Sequence, residues 1–250
     1  MNKVMIFAAG LGTRLRPLTE AIPKALVPVA GVPLLEHLLL KLKASGFTDI
    51  TINVHHHAEQ IIRFLQEKEN FGLCIHISDE RDLLRDTGGG VRHALPFLQE
   101  GTTNDPILIH NIDILSNVDL AEFARCHRKG DAATLLVSER KTSRYLLFDD
   151  DLCLAGWTDL RTGEVKSPRP HFDPARCRRF AFAGIHLLDP MLFPCLQEEP
   201  ERFPIVDFYL RMAARFSIRA CVKKDLRLLD IGKPETLQQA PDFLKSLAAK

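Results

Sequence analysis

The sequence predicts a doubly wound α/β fold built on a mostly parallel sheet. Three observations lead there: strand-like and helix-like segments alternate from residue 3 to residue 138, the strand-like runs are apolar on both faces, and a glycine-rich turn follows the first of them. The run at 3–9 is nearly continuous in apolar residues, as a central buried strand requires, and Gly10 and Gly12 stop it abruptly. Pro33 opens an amphipathic stretch at 34–44 and Gly46 closes it, the proline-first, glycine-last asymmetry of a crossover helix. The cycle repeats as a strand at 50–54, a helix at 59–66, a strand at 73–78 and a helix from about 88. A further apolar strand at 106–110 runs into Asn111, Ile112 and Asp113, followed by a helix at 120–128 and a strand at 132–138. From 145 to 187 the pattern changes to short strands and polar turns around Trp157, Gly163 and the pair Pro168 and Pro170, which predicts a small antiparallel insertion beside the sheet. A helix at 208–216, a strand at 218–223, a short segment at 228–231 and a helix after Pro234 complete one compact domain, 1–250.

At 250 residues, 46% hydrophobic and 26% charged, the chain has ordinary globular composition and length enough for a sizeable core. Lys and Arg number 33 against 32 for Asp and Glu, so nothing argues for a broad nucleic-acid or membrane surface, and an anionic ligand must be held locally. Cys74, Cys126, Cys153, Cys177, Cys195 and Cys221 are scattered, without a CxxC pair or zinc-like spacing, which fits free thiols in a reducing cytoplasm. The apolar run at 4–9 is far too short to span a membrane, and turn residues follow it rather than a cleavage site.

Open parallel sheets bind ligands beyond the carboxyl ends of their strands. After the first strand come Gly10, Leu11, Gly12, Thr13 and Arg14, and shortly afterwards Pro23, Lys24 and Pro28. Glycines allow backbone N–H groups close to anionic oxygens, Arg14 offers a planar fork of donors, and Lys24 offers a mobile point charge, together a set suited to a triphosphate. An ordinary strand-to-helix turn would also use Gly10 and Gly12; the added Thr13, Arg14, Pro23 and Lys24 favour phosphate. The GxxxxGK[ST] loop is absent, the third glycine of the dinucleotide fingerprint is missing, and the second strand ends in Asn53 rather than a ribose-binding acid, which disfavours a nicotinamide enzyme.

The run Ala8, Ala9, Gly10, Leu11, Gly12, Thr13 and Arg14, with Pro23, Lys24 and Pro28, resembles the signature of the sugar-1-phosphate nucleotidyltransferases. The order of elements to about residue 115 is similar to that family, and Leu229 to Glu235 resembles its closing metal-site motif. Within the family, Asp86, Thr87 and Gly88 to Gly90, together with the chain's length, look most like the bacterial N-acetylmuramate 1-phosphate uridylyltransferases. The resemblance implies a Rossmann-like, glycosyltransferase-A-like fold, with 1–138 as the nucleotide-binding half and 139–250 as the sugar-binding and closing half. It implies catalytic charges on Arg14 and Lys24, a nucleotide held by Ala9 to Thr13 and by Asp86, Thr87 and Gly88, and a sugar phosphate near Asn111 and Gly184. It further implies a Mg²⁺ ion held jointly by Asp113 and Asp230, and hard carboxylate oxygens suit that ion.

Taken singly, Asp113 and Asp230 could each be a cap or turn residue, and Asp86 or Thr87 could cap a helix while also reading a base, uracil or guanine. Ile112 departs from the small residue usual in the family. The three histidines His55, His56 and His57 cannot all point one way in an extended chain, so a metal role is disfavoured. Arg176, Arg178 and Arg179 are expected on a solvated strand edge, with a phosphate contact as the alternative, and Asp207 as the cap of a following helix, with support of the sugar pocket as the alternative. The expected reaction joins an NTP, UTP by resemblance, to an amino-sugar 1-phosphate with release of pyrophosphate. Alternatives are GTP with mannose 1-phosphate, a cytidylyltransferase acting on an alcohol phosphate, and a silent regulatory subunit that binds nucleotide sugar. With Lys250 following closely on the last helix, the long β-helix acyltransferase domain of some relatives is not expected, and the sequence leaves monomer and homo-oligomer equally open.

Overall fold

A computed structural model describes residues 2–101, 104–170 and 172–248. Its strands in chain order are β1 (Lys3–Phe7), β2 (Pro28–Val29), β3 (Val32–Pro33), β4 (Asp49–Val54), β5 (Cys74–Asp79), β6 (Ile107–Asn111), β7 (Ile114–Ser116), β8 (Asp131–Ser138), β9 (Arg144–Phe148), β10 (Leu154–Asp159), β11 (Glu164–Lys166), β12 (Arg178–Leu188), β13 (Ser217–Val222) and β14 (Leu228–Asp230). The helices are α1 (Leu18–Ala21), α2 (Leu34–Ala44), α3 (Ala58–Glu67), α4 (Asp86–Gln99), α5 (Leu120–Ala124), α6 (Phe193–Glu198), α7 (Ile205–Met212) and α8 (Pro234–Ala248).

The parallel block runs β6-β1-β4-β5, with β1 between β6 and β4. Val4, Met5 and Ile6 are all fully buried because both faces of β1 are covered: Val4 and Ile6 join one apolar cluster and Met5 the other. Leu34, Leu35, Leu38, Leu39 and Leu42 form the buried stripe of α2, and each such leucine taken from water contributes about 2 kcal/mol. Gly46 ends that helix at φ 85°, a left-handed conformation that glycine adopts without a Cβ clash. Residues of α2, α3 and α5 cover one face of the sheet, and residues of α4, α6 and α7 cover the other.

The antiparallel strands continue this sheet rather than lying beside it. The eleven-residue β12 pairs with β9 through Arg178–Phe180, with β6 through Ile185–Leu188, and with β8 from Ala181 onward. Its residues from Phe180 onward are buried except for the half-exposed Phe182, which is the environment of an interior strand. Arg178 and Arg179 are exposed and pair with β9, while pairing to β8 begins only at Ala181, so they lie on a solvated strand end. Helix α5 stops at Ala124, short of the expected 128, while α7 begins at Ile205 instead of 208. The earlier start of α7 follows from Pro204, at its N-cap, and from Thr87 Oγ1, which accepts the Ile205 N–H at 2.9 Å. Asp207 thus lies inside the first turn and accepts from Lys166 Nζ at 3.2 Å, so it is not the cap. No described helix is long and apolar enough to cross a membrane.

Candidate active site

A cleft of about 470 Å³ opens beyond the carboxyl ends of β1, β4 and β6, where the chain order reverses on the two sides of β1. Its walls include Ala9, Gly10, Leu11, Gly12, Thr13 and Arg14 from the loop after β1, Lys24, Asp86, Thr87, Asn111 and Asp113. Most of the residues singled out in the sequence thus share one cleft.

The loop is built by a few identifiable contacts. Gly12 has φ 63° and its carbonyl accepts from Thr19 Oγ1 at 2.8 Å; a Cβ there would lie 2.9 Å from Thr19 Cγ2. Glycine is required on both counts. Gly10 differs, since a Cβ there would meet nothing within 4 Å of the protein. Ala9 lines the cleft, but its N–H turns inward to Asn53 Oδ1 at 3.3 Å, beside that of Ala8 at 2.7 Å. It is therefore unavailable to a phosphate.

Lys24, only 9% exposed, forms an ion pair with Asp113 Oδ2. Asp113 lies just past β6, and the antiparallel ribbon of β7 and β14 sets Asp230 against Ile114, while the Ile231 N–H donates to the Asp113 carbonyl at 2.8 Å. Residues separated by nearly half the chain are thereby neighbours. Solvent reaches Asp230, yet the surrounding protein withdraws enough water to push its carboxyl pKa up, and Asp113 adds to the rise; Lys24, Arg14 and Arg140 act the other way. A Cβ at Gly232 would sit 2.8 Å from both an Arg14 guanidinium nitrogen and Asp230 Oδ1, so these two charged groups converge over a glycine.

The family profile described as Nucleotidyl transferase matches residues 3–154. The chain belongs to that family. The transferase is 34% identical over 241 residues to N-acetylmuramate alpha-1-phosphate uridylyltransferase of Caulobacter vibrioides, covering 92% of each chain. It is 30% identical to a mannose-1-phosphate guanyltransferase of Yarrowia lipolytica, covering 99% of this chain but 66% of that one. Among solved structures, a UDP-glucose pyrophosphorylase complexed with UDP-glucose aligns with a TM-score of 0.76 at 18% identity, over 98% of this chain and 99% of that chain, which shows a shared fold. Sugar-1-phosphate nucleotidyl transfer is the reaction class of this enzyme.

Two residues named for ligands stand behind the cleft wall in the transferase. The Gly88 N–H donates to the Phe203 carbonyl at 2.8 Å, and a Cβ at Gly88 would overlap the Phe203 ring. Its glycine is explained by close packing of the 201–203 segment, and Asp86 and Thr87 alone of that motif face the cleft. Gly184, at φ 71°, occupies the irregular register of β12, where a Cβ would lie 2.7 Å from Asn111 Nδ2. It makes room for Asn111, which lines the cleft itself. Ile112 is 6% exposed and packs into the core, which explains its apolar character.

Asn53, Glu80 and Arg202 also line the cleft, and sequence reasoning assigned them no part in a site. Asn53 Nδ2 donates to Glu80 Oε1 at 2.8 Å, and Glu80 Oε2 accepts the Arg85 N–H at 3.3 Å. Glu80 is fully buried, and burial raises its pKa, offset in part by the Asn53 bond. This chain of bonds joins the start of the glycine loop to the start of α4. Asn53 was detectable as a polar residue closing an apolar strand. Of the histidines, His55 Nδ1 meets the Glu80 carbonyl at 2.6 Å and His57 Nε2 the Glu20 carbonyl at 3.0 Å, while the His56 ring lies against that of His57.

The donor set beside the cleft fits a hard divalent cation, since two carboxylates lie close enough there for desolvation and the charge of Asp113 to raise the pKa of Asp230. Asp113 and Asp230 could hold Mg²⁺, with room left for water and phosphate oxygens.

Proposed function

We propose that the enzyme joins UTP to an amino-sugar 1-phosphate, giving a UDP-sugar and pyrophosphate. The observation that carries this reading is the 34% identity to an N-acetylmuramate alpha-1-phosphate uridylyltransferase, spread over 92% of both chains. A guanylyltransferase using mannose 1-phosphate is the second reading, favoured by the Yarrowia lipolytica relative, of which the chain spans 66%.

In the proposed reaction the glycine loop and Arg14 receive the β- and γ-phosphates, Asp86 and Thr87 face the base, and Asn111 orients the sugar phosphate. Residues 1–138 form mainly the nucleotide-binding half and 139–250 the sugar-binding and closing half. Asp113 and Asp230 hold Mg²⁺, which when bound supplies positive charge to the reacting phosphates. A sugar-phosphate oxygen attacks the α-phosphorus in line and the bond to pyrophosphate breaks, with the leaving group directed toward Arg14. No general base is needed, because a phosphate monoester with a second pKa near 6 is already largely ionised at neutral pH. The protein's work is to bring two anions together, which Lys24 and Arg14 assist by offsetting their repulsion. A cytoplasmic setting suits the reading, since the scattered cysteines fit a reducing compartment.

The test is pyrophosphate release with Mg²⁺ and ATP, CTP, GTP or UTP, each paired with a panel of sugar 1-phosphates, with Asp113→Ala as the control. Release confined to UTP and an amino-sugar 1-phosphate, and lost in the variant, is the expected result. Preference for GTP and mannose 1-phosphate would establish the second reading, and silence with tight nucleotide-sugar binding would make the chain a regulatory subunit.

A further inference from the structure

At the opposite end of the sheet from the cleft, the first residues of three neighbouring parallel strands lie side by side: Lys3 on β1, Asp49 on β4 and Cys74 on β5. His76, two residues along β5, shares the face of Cys74. The Cys74 Sγ lies 3.4 Å from His76 Nε2, the same nitrogen lies 3.3 Å from Asp49 Oδ1, and all three atoms fall within 4.8 Å of one another.

We propose that Asp49, Cys74 and His76 form a binding site for a Zn²⁺-like transition-metal ion, separate from the Mg²⁺ chemistry of the cleft. Three arguments support it. Zinc bonds of about 2.3 Å to sulfur and about 2.0 Å to nitrogen and oxygen, at tetrahedral angles, set ligand atoms roughly 3.3 to 3.6 Å apart. The Cys74 Sγ–His76 Nε2 and His76 Nε2–Asp49 Oδ1 separations, 3.4 and 3.3 Å, match two edges of such a tetrahedron. A single imidazole nitrogen carries at most one proton, so that proton cannot serve both the sulfur and the carboxylate contact, whereas a cation between the three engages all of them. Thiolate and imidazole in one set select a borderline-soft ion over magnesium or calcium.

The surroundings hold the ligands in place. Lys3 Nζ binds the other oxygen, Asp49 Oδ2, at 3.0 Å and the Phe97 carbonyl at 2.9 Å, which leaves Oδ1 turned toward His76. The His76 ring stacks on Phe97 with centroids 5.4 Å apart and planes 27° apart. Fixed outer contacts of this kind orient metal ligands. Cys74 is exposed and leaves the fourth position to solvent. A bound ion would tie the edge strand β5 to β4, at the end of the sheet remote from the reaction.

The test titrates Co²⁺ alone, as a spectroscopic stand-in, into the full chain after chelator treatment in a non-thiol reductant. One tight equivalent with a sulfur-to-cobalt charge-transfer band, displaced by Zn²⁺, is expected. Cys74→Ser should abolish the band and His76→Ala should weaken binding by about tenfold or more, both with an unchanged melting temperature. The other neighbouring thiols, Cys126 and Cys221 with sulfurs 2.6 Å apart, supply the control. No band, unaltered affinity in His76→Ala, or a band that survives Cys74→Ser and disappears in Cys126→Ser would overturn the proposal.

Discussion

Lys24 Nζ and Asp113 Oδ2 are ion-paired at the cleft, so the lysine proposed for phosphate and the aspartate proposed for Mg²⁺ are direct neighbours. Lys24→Ala is expected to lower kcat by about 10²–10³-fold, the usual cost of removing a donor that stabilises transition-state charge. Because Asp113 borders an open cleft and can recover water, the stability loss should stay near 1 kcal/mol. Steady-state pyrophosphate release and urea unfolding check the two parts.

Asp230→Asn removes one of the two carboxylates while keeping the shape of the side chain. Activity should fall steeply and require more Mg²⁺ for half-maximal rate, while removal of divalent cations with a chelator should abolish turnover in the parent enzyme. A Mg²⁺ titration of the rate measures this, and an unaltered Mg²⁺ requirement would remove Asp230 from the metal site.

The two glycine clusters should respond in opposite ways. Alanine at Gly89 would overlap the Glu201 carbonyl oxygen, backbone that cannot rotate aside, so Gly89→Ala should cost about 1–3 kcal/mol in stability. Gly10→Ala meets nothing within 4 Å and should melt like the parent, yet raise KM for the nucleotide if phosphate approaches that backbone. Thermal melts alongside KM values separate packing from binding.

Asn53→Ala removes the acceptor for the Ala8 and Ala9 N–H groups and the donor to buried Glu80. Leaving such buried groups unpaired costs about 1–3 kcal/mol each. A loss of several kcal/mol in urea unfolding is expected, together with weaker nucleotide binding as the loop loses its anchor. Unchanged stability would show that water replaces the amide.

His110 and His186 are buried on β6 and β12, and burial lowers the pKa of each to about 3. Unfolded, each imidazole takes up a proton as the pH drops through about 6.5; folded, neither does so until about 3. Their contribution to stability is therefore full above about pH 6.5 and lost as the pH falls toward 3, by up to about 1.4 kcal/mol per pH unit for each ring. Urea unfolding between pH 7 and about 4 should show this slope, and His186→Phe should make it shallower.

Local chemistry made the glycine loop, the crossover helix α2 and the strand-end positions legible, because each is specified by a few consecutive residues. What escaped depends on distant partners. The ribbon of β7 and β14 has three residues per strand, too few for a periodicity, so Asp113 and Asp230 could be paired only by resemblance. Gly88 looked like a ligand-approach glycine because nothing near it in sequence signals that Phe203 packs on it. The apolar run ending β12 carried the mark of a buried strand, but the prolines and charges before it suggested a peripheral insertion.

The placement of β12 also orders synthesis and folding. A nascent chain ending at residue 138 already contains β1, β4, β5 and β6, but the free edge of β6 and all of β8 await a strand that ends only at Leu188. Until some fifty further residues leave the ribosome, the emerging chain exposes an open, apolar strand edge to its surroundings. That interval is when chaperone engagement or association between neighbouring nascent chains is most favoured.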